Sequence, residues 1–126
     1  MRRVATPLTV LLVEDEVLIS NLVAESLSER GFTVHEVTTA DDALRYIGSG
    51  ADLDVLFTDV NLPGRMNGAE LAERARVLRP DLPIVYASGR YSPADIGALV
   101  PRSIFVTKPY DLAEVGILIA RLTELH

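Results

Sequence analysis

The stretch VLFTDVNLPG, residues 55–64, carries an apolar run into an aspartate, Asp59, and then into turn-forming residues. Val, Leu, Phe and Thr are what a strand buried on both faces of a parallel sheet is made of. A carboxylate at the end of such a strand is shielded from water, where charge is costly without a partner. Asn61, Pro63 and Gly64 suit a turn, and turn chemistry alone would account for an aspartate in that place. The remaining segments decide between the two explanations.

Four further runs have the same strand character: LTVLLV (8–13), FTVHEV (32–37), PIVYA (83–87) and SIFVT (103–107), with DVLFT (54–58) third in order. Between them lie stretches of helical periodicity: VLISNLVAESLSER (17–30), ADDALRYIG (40–48), GAELAERARVL (68–78) and a short SPADIGALV (92–100). DLAEVGILIARLTEL (111–125) closes the chain, with Leu112, Val115, Ile119 and Leu122 at helical spacing. Gly31 suits the end of the first helix, and Ser92-Pro93 reads as an N-cap and first helical position. Alternation of this kind implies crossover connections, hence a five-stranded parallel sheet, doubly wound, with helices on both faces.

At 126 residues and 48% hydrophobic content, the chain is expected to form one globular domain over residues 1–126, with its core at about 8–125. It has no cysteine, so a disulfide framework, a thiol nucleophile and a thiolate metal site are excluded. The formal charge of −6, with no basic stripe to offset it, argues against nucleic acid as a main partner. The opening MRRVATPLTVLLV has arginines before an apolar stretch, but Pro7 and two threonines interrupt it and Glu14-Asp15-Glu16 ends it. Neither a secretory signal nor a bilayer span fits, so no membrane partner and a cytoplasmic location are expected. Eleven arginines accompany a single lysine, Lys108. Compositional drift explains the arginines but not the position that kept its lysine.

Open α/β sheets bind ligands beyond the carboxyl ends of their strands. Those ends carry Glu14-Asp15, Asp59, Ser88 and Lys108, while the second strand ends less distinctively at Thr38-Thr39. Each residue has an ordinary explanation. Acidic residues favour a helix N-terminus, which serves well for Glu16; a strand-ending lysine reaches solvent; Ser88-Gly89 is common loop sequence. Their joint placement is less ordinary. Three carboxylates on neighbouring ends repel pairwise by about 3 kcal/mol at roughly 5 Å and an effective dielectric near 20. A cation would relieve that repulsion, and oxygen ligands without histidine or thiolate point to Mg²⁺.

At these residues the chain resembles the receiver domain of two-component response regulators. The matching stretches are LLVEDE (11–16), LFTDVNLPG (56–64), MNGAEL (66–71), PIVYASG (83–89) and FVTKPY (105–110), in order over essentially the whole chain. The resemblance implies the flavodoxin-like (βα)5 fold, with Asp59 as phosphoacceptor and a histidine kinase or histidine phosphotransferase as donor. It implies that Glu14, Asp15 and Asp59 hold Mg²⁺ together with the backbone carbonyl of Asn61. Ser88 would donate its hydroxyl to one phosphoryl oxygen and Lys108 would pair with another. A lysine suits one phosphate oxygen as a point charge, where the planar fork of arginine would not substitute well. A cis peptide before Pro109 is also implied. The family is a signalling domain that assists its own phosphorylation and dephosphorylation, not a free-standing enzyme. Phe105 matches the aromatic that moves inward in this family when the strand-four hydroxyl shifts; a core aromatic on strand five is its plain alternative.

Several features depart from the commonest receivers. The segment from Asp59 to Gly68 is one residue longer, with Arg65 the inserted position; the strand-four hydroxyl is serine, where threonine is more frequent, and Gly89 follows it where alanine is common. The stretch from Ser88 to Lys108 is short, and its helix contains Gly97, a poor helix residue. VYASGRY (85–91) is similar to the motif of single-domain FAT GUY receivers of alphaproteobacteria and to receivers at the ends of hybrid kinases. With no effector domain after the last helix, the chain is expected to act as a phosphorylated binding partner, a phosphate relay or a piece of a longer protein. One rival is a haloacid-dehalogenase-like phosphatase, which needs a second aspartate where Asn61 stands. Another is a pseudo-receiver, a pure interaction module, against which Glu14, Asp15, Asp59, Ser88 and Lys108 all speak.

Helix one adds a docking expectation. Val17, Leu18 and Ile19 are successive apolar residues, about 100° apart on a helix, and so span more than one buried stripe. Ile19 shares a face with Leu22, Val23 and Ser26, which is expected to meet the sheet. Val17 and Leu18 are left toward solvent, where the family meets the four-helix domain of its phosphodonor.

Overall fold

The computed structural model describes residues 7–89 and 100–124. In chain order its elements are β1 (Thr9–Val13), α1 (Val17–Glu29), β2 (Thr33–Val37), α2 (Ala40–Gly48), β3 (Val55–Asp59), α3 (Gly68–Leu78), β4 (Ile84–Ser88), β5 (Ser103–Thr107) and α4 (Leu112–Glu124). The five strands form one parallel sheet in the order β2-β1-β3-β4-β5. The expected helix over 92–100, with Ser92-Pro93 and Gly97, lies outside the described residues except for Val100, which is not helical.

The strand sequences explain the layering. β1, β3 and β4 are central and buried almost throughout, so their apolar runs are continuous rather than alternating. Successive side chains still point to opposite faces. Leu11, Val13, Leu56 and Tyr86 pack with Ala43, Ile47, Leu71 and Ala75 of α2 and α3. Val10, Leu12, Phe57 and Val85 pack with Val23, Leu27, Val115 and Ile119 of α1 and α4. Each fully buried apolar side chain contributes about 1.5–3 kcal/mol, and truncating Leu56 to alanine in the sheet centre would cost about 2–5 kcal/mol. β2 lies at an edge and is mostly exposed.

The helices begin where their caps dictate. Thr39 accepts from the Asp42 amide at 3.1 Å to start α2, and Asn67 and Glu70 form a reciprocal capping box at the start of α3. Thr39, undistinguished as a strand end, is thus a helix cap. α1 ends as expected, with the Gly31 amide donating to Ser28 O at 3.0 Å and the Phe32 amide to Leu27 O at 3.1 Å.

The face of α1 corrects the sequence expectation. Ser20, Val23, Ala24 and Leu27 are the buried residues, whereas Leu22 is 60% exposed and Ile19 and Ser26 are only partly buried. The cause is Ser20, whose hydroxyl donates to Glu36 Oε1 at 2.6 Å. A hydrogen-bonded serine can occupy the buried stripe, which turns the helix by about one residue relative to the apolar pattern.

Candidate functional site

Strand order reverses between β1 and β3, and the crevice of an open α/β sheet lies beyond the strand ends at such a point. Glu14 leaves β1 there, its amide donating to Val37 O at 3.1 Å on β2. Asp59 is the last residue of β3 and only 8% exposed. Glu14 is buried and Asp15 exposed. Each of the three carboxylates offers an oxygen, and these oxygens lie within 4.8 Å of one another.

Lys108 enters from the far side. Its amide donates to Ser88 O at 3.0 Å, which ties the end of β5 to the end of β4, and the Lys108–Pro109 peptide is cis, as the resemblance implied. From there the ammonium donates to Glu14 Oε1 at 2.8 Å and to Asp59 Oδ2 at 3.2 Å. Ser88 is buried at the end of β4, one step beyond Ala87, the register partner of Asp59.

Charge at the site follows from this packing. Burial pushes the Asp59 carboxyl from 3.8 up to about 6. The Lys108 charge pulls it back, Glu14 pushes it further up, and hydrogen bonds from Lys108 and the Asn61 amide favour the ionised form. For Lys108, burial alone would lower the ammonium, but its bond to Glu14 and the charges of Asp59 and Glu14 outweigh burial and hold it above its usual range. Burial likewise pushes the Tyr110 phenol up to about 12.

The other expected residues fall as follows. Phe105 is partly buried on β5, opposite Tyr86 of β4 and packed into the cluster beneath α2 and α3. Val17 and Leu18 are 57% and 80% exposed. An apolar groove of about 490 Å³ is lined by Ile19, Leu22, Val23, Pro109, Tyr110 and Leu112 together with Lys108. Two residues near the site escaped the sequence reading. Tyr110 packs its ring against Phe57, centroids 5.9 Å apart, and its signal was an aromatic directly after Lys108-Pro109. Gly68 sits against the Asp59 carbonyl, signalled only by a glycine opening a helix.

The pattern of the response regulator receiver domain matches residues 10–120. The chain belongs to that family. Among curated proteins, this receiver is 31% identical over 120 residues to the sensor kinase CckA of Brucella abortus, covering 92% of the chain and 12% of that protein. It is 31% identical over 122 residues to the transcriptional regulator NtrC of Rhizobium meliloti (94% and 25%), and 35% identical over 118 residues to the regulatory protein TcrA of Mycobacterium tuberculosis (92% and 45%). The receiver therefore spans less than half the length of these relatives. Among solved structures, a response regulator receiver protein from Sinorhizobium medicae superposes with a TM-score of 0.87 at 32% identity, covering 94% of this chain and 95% of that one. The receiver domain of the hybrid histidine kinase CckA gives a TM-score of 0.79 at 27% identity, with coverage of 91% and 98%. A receiver is a signalling domain of two-component systems. Among the described residues no helix is long and apolar enough to cross a membrane.

Proposed function

We propose that this receiver accepts a phosphoryl group on Asp59 from the phosphohistidine of a kinase or phosphotransferase and signals or relays through protein contacts. The observation that carries the proposal is the convergence of Glu14, Asp15 and Asp59 oxygens within 4.8 Å, with Lys108 bonded to two of the three residues. The donor set is all hard oxygen, which fits Mg²⁺. The carboxylates of Glu14, Asp15 and Asp59 and the backbone carbonyl of Asn61 would hold it. Bound there, Mg²⁺ supplies positive charge to offset the carboxylates and the phosphoryl oxygens.

The chain's own residues do the rest by positioning and charge. An Asp59 carboxylate oxygen attacks phosphorus, the phosphorus–nitrogen bond to the donor imidazole breaks with its electron pair staying on nitrogen, and an acyl phosphate forms. Lys108 pairs with one phosphoryl oxygen and the Ser88 hydroxyl donates to another. The whole molecule's activity and destination are set by whatever chain surrounds or meets this receiver.

Incubation with acetyl phosphate and Mg²⁺ tests the reading. Acid-stable, hydroxylamine-sensitive label on Asp59, absent from Asp59→Asn and in excess chelator, is the expected result. Steady turnover of phosphate esters would indicate a phosphatase, and no label a pure interaction module.

A further inference from the structure

The segment that leaves the sheet at Asp59 returns to it at Gly68. The Gly68 amide donates to Val60 O at 2.8 Å. A Cβ on Gly68 would overlap the Asp59 carbonyl oxygen and lie 2.9 Å from both Asp59 C and Val60 Cα. All three are backbone atoms, so no side-chain rotation relieves the overlap.

Neither side of the contact yields easily. Gly68 opens α3, which is fixed by the Asn67–Glu70 capping box and by the fully buried Leu71, Ala72 and Ala75. On the other side, the Val60 amide donates to Ala87 O at 2.9 Å, and Asp59 is in register with Ala87 in the sheet interior. Strain from a methyl group at 68 would pass into residues 60–67, which include Asn61, or into the Asp59 peptide itself.

We propose that Gly68 is a positioning residue for the phosphoacceptor site. It lets the first turn of α3 rest on the Asp59 carbonyl, and so closes the neck of the loop and sets Asp59 and Asn61 against Glu14 and Asp15. The proposal rests on the reading of Asp59 as phosphoacceptor. It would also account for how the added residue expected at Arg65 is accommodated. Arg65 is exposed and lies beyond the neck, so added length there leaves the carboxylates in place.

Two measurements test it. In the wild-type chain, amide hydrogen exchange is expected to be about a hundredfold slower at Gly68 than at Arg65, with further slowing at Gly68 on adding beryllofluoride and Mg²⁺. In Gly68→Ala that retains the wild-type circular dichroism, Mn²⁺ affinity by electron paramagnetic resonance should fall about tenfold, and acetyl phosphate labelling should slow by about tenfold to a hundredfold. A folded variant with both values near wild type overturns the proposal. If the variant does not fold, equal fast exchange at Gly68 and Arg65 in the wild type overturns it and the predicted protection supports it. A wild-type chain that binds no Mn²⁺ and takes no label would defeat the phosphoacceptor reading, while the exchange rates still report on the neck.

Discussion

Lys108 bonds to Glu14 at 2.8 Å, closer than its 3.2 Å contact with Asp59. One ammonium therefore neutralises part of a carboxylate cluster that a divalent cation would also neutralise. The two cations compete for the same charge, so the lysine must loosen its hold on Glu14 and Asp59 for a metal to gain their full attraction.

Removing the lysine should therefore act in opposite directions on binding and transfer. Lys108→Ala is expected to bind Mn²⁺ several-fold more tightly, because the ammonium that bonds Glu14 and Asp59 no longer competes with the metal for their charge. The same variant should be labelled by acetyl phosphate at least about tenfold more slowly, since a charge partner of the phosphoryl oxygens is gone. Weaker metal binding would show that Lys108 organises the carboxylates instead of competing for them.

Asp59 carries a stability cost with a defined pH window. Its carboxyl is raised from 3.8 to about 6 by burial, so the folded state holds the proton more tightly than the unfolded state. Stability is then highest below about pH 4 as far as this group is concerned, and falls as pH rises through 6. At pH 7 the cost is at most about 3 kcal/mol, at 1.36 kcal/mol per unit. Asp59→Asn should raise the melting temperature by several degrees at pH 7 in chelator, and the gain should vanish at pH 4. Saturating Mg²⁺ should narrow the gap at pH 7 if, as proposed, it binds the folded wild type. A variant no more stable than wild type at pH 7 would refute this.

The fold was legible because the central strands advertise themselves. VLLV, VLFT and IVYA are apolar on both faces, as strands covered on both sides require, and the helical stretches between them point to a parallel sheet. The convergence of the candidate site was legible because strand ends are where such runs meet solvent, so Glu14, Asp59, Ser88 and Lys108 stand out against their neighbours. What could not be read was the role of groups whose chemistry is satisfied at a distance. Ser20 looks like a solvent residue until Glu36, on another element, accepts its hydroxyl, and the buried face of α1 was misplaced for that reason. The Lys108–Glu14 bond joins residues 94 apart in sequence, and the Gly68 contact is with backbone atoms that carry no side-chain signal.

Phe105 gives a conformational test. Across β4 and β5 it pairs with Tyr86, two residues before Ser88 on the same strand, so a shift of the Ser88 side chain would act beside the aromatic pair. If the family's inward movement operates here, a beryllofluoride complex should change the χ1 rotamer of Phe105 together with the position of Ser88. The side-chain NMR shifts of Phe105, or a crystal structure of the complex, would report it. An unchanged Phe105 in a fully occupied complex would mark it as a core residue alone.

Leu18 tests where the phosphodonor docks. It is 80% exposed at the start of α1, and Val17 and Leu22 beside it are 57% and 60% exposed. Leu22 was expected to face the sheet; its exposure instead extends the apolar surface into the groove toward Pro109 and Tyr110. Scattered apolar residues are normal on a surface, but Leu22 lines a groove that includes Lys108. Under the proposed reading, a partner that brings a phosphohistidine to Asp59 would cover this flank of the site. Leu18→Ala removes contact area from the docked complex but nothing from the core, so stability should change by less than about 0.5 kcal/mol. Transfer from the cognate kinase or phosphotransferase should slow by about tenfold or more if Leu18 is a central contact, equivalent to 1.4 kcal/mol. Labelling by acetyl phosphate, which needs no docking, should keep its rate. Equal loss with both donors would place Leu18 in the site itself, and no loss with either would move the docking surface elsewhere on the receiver.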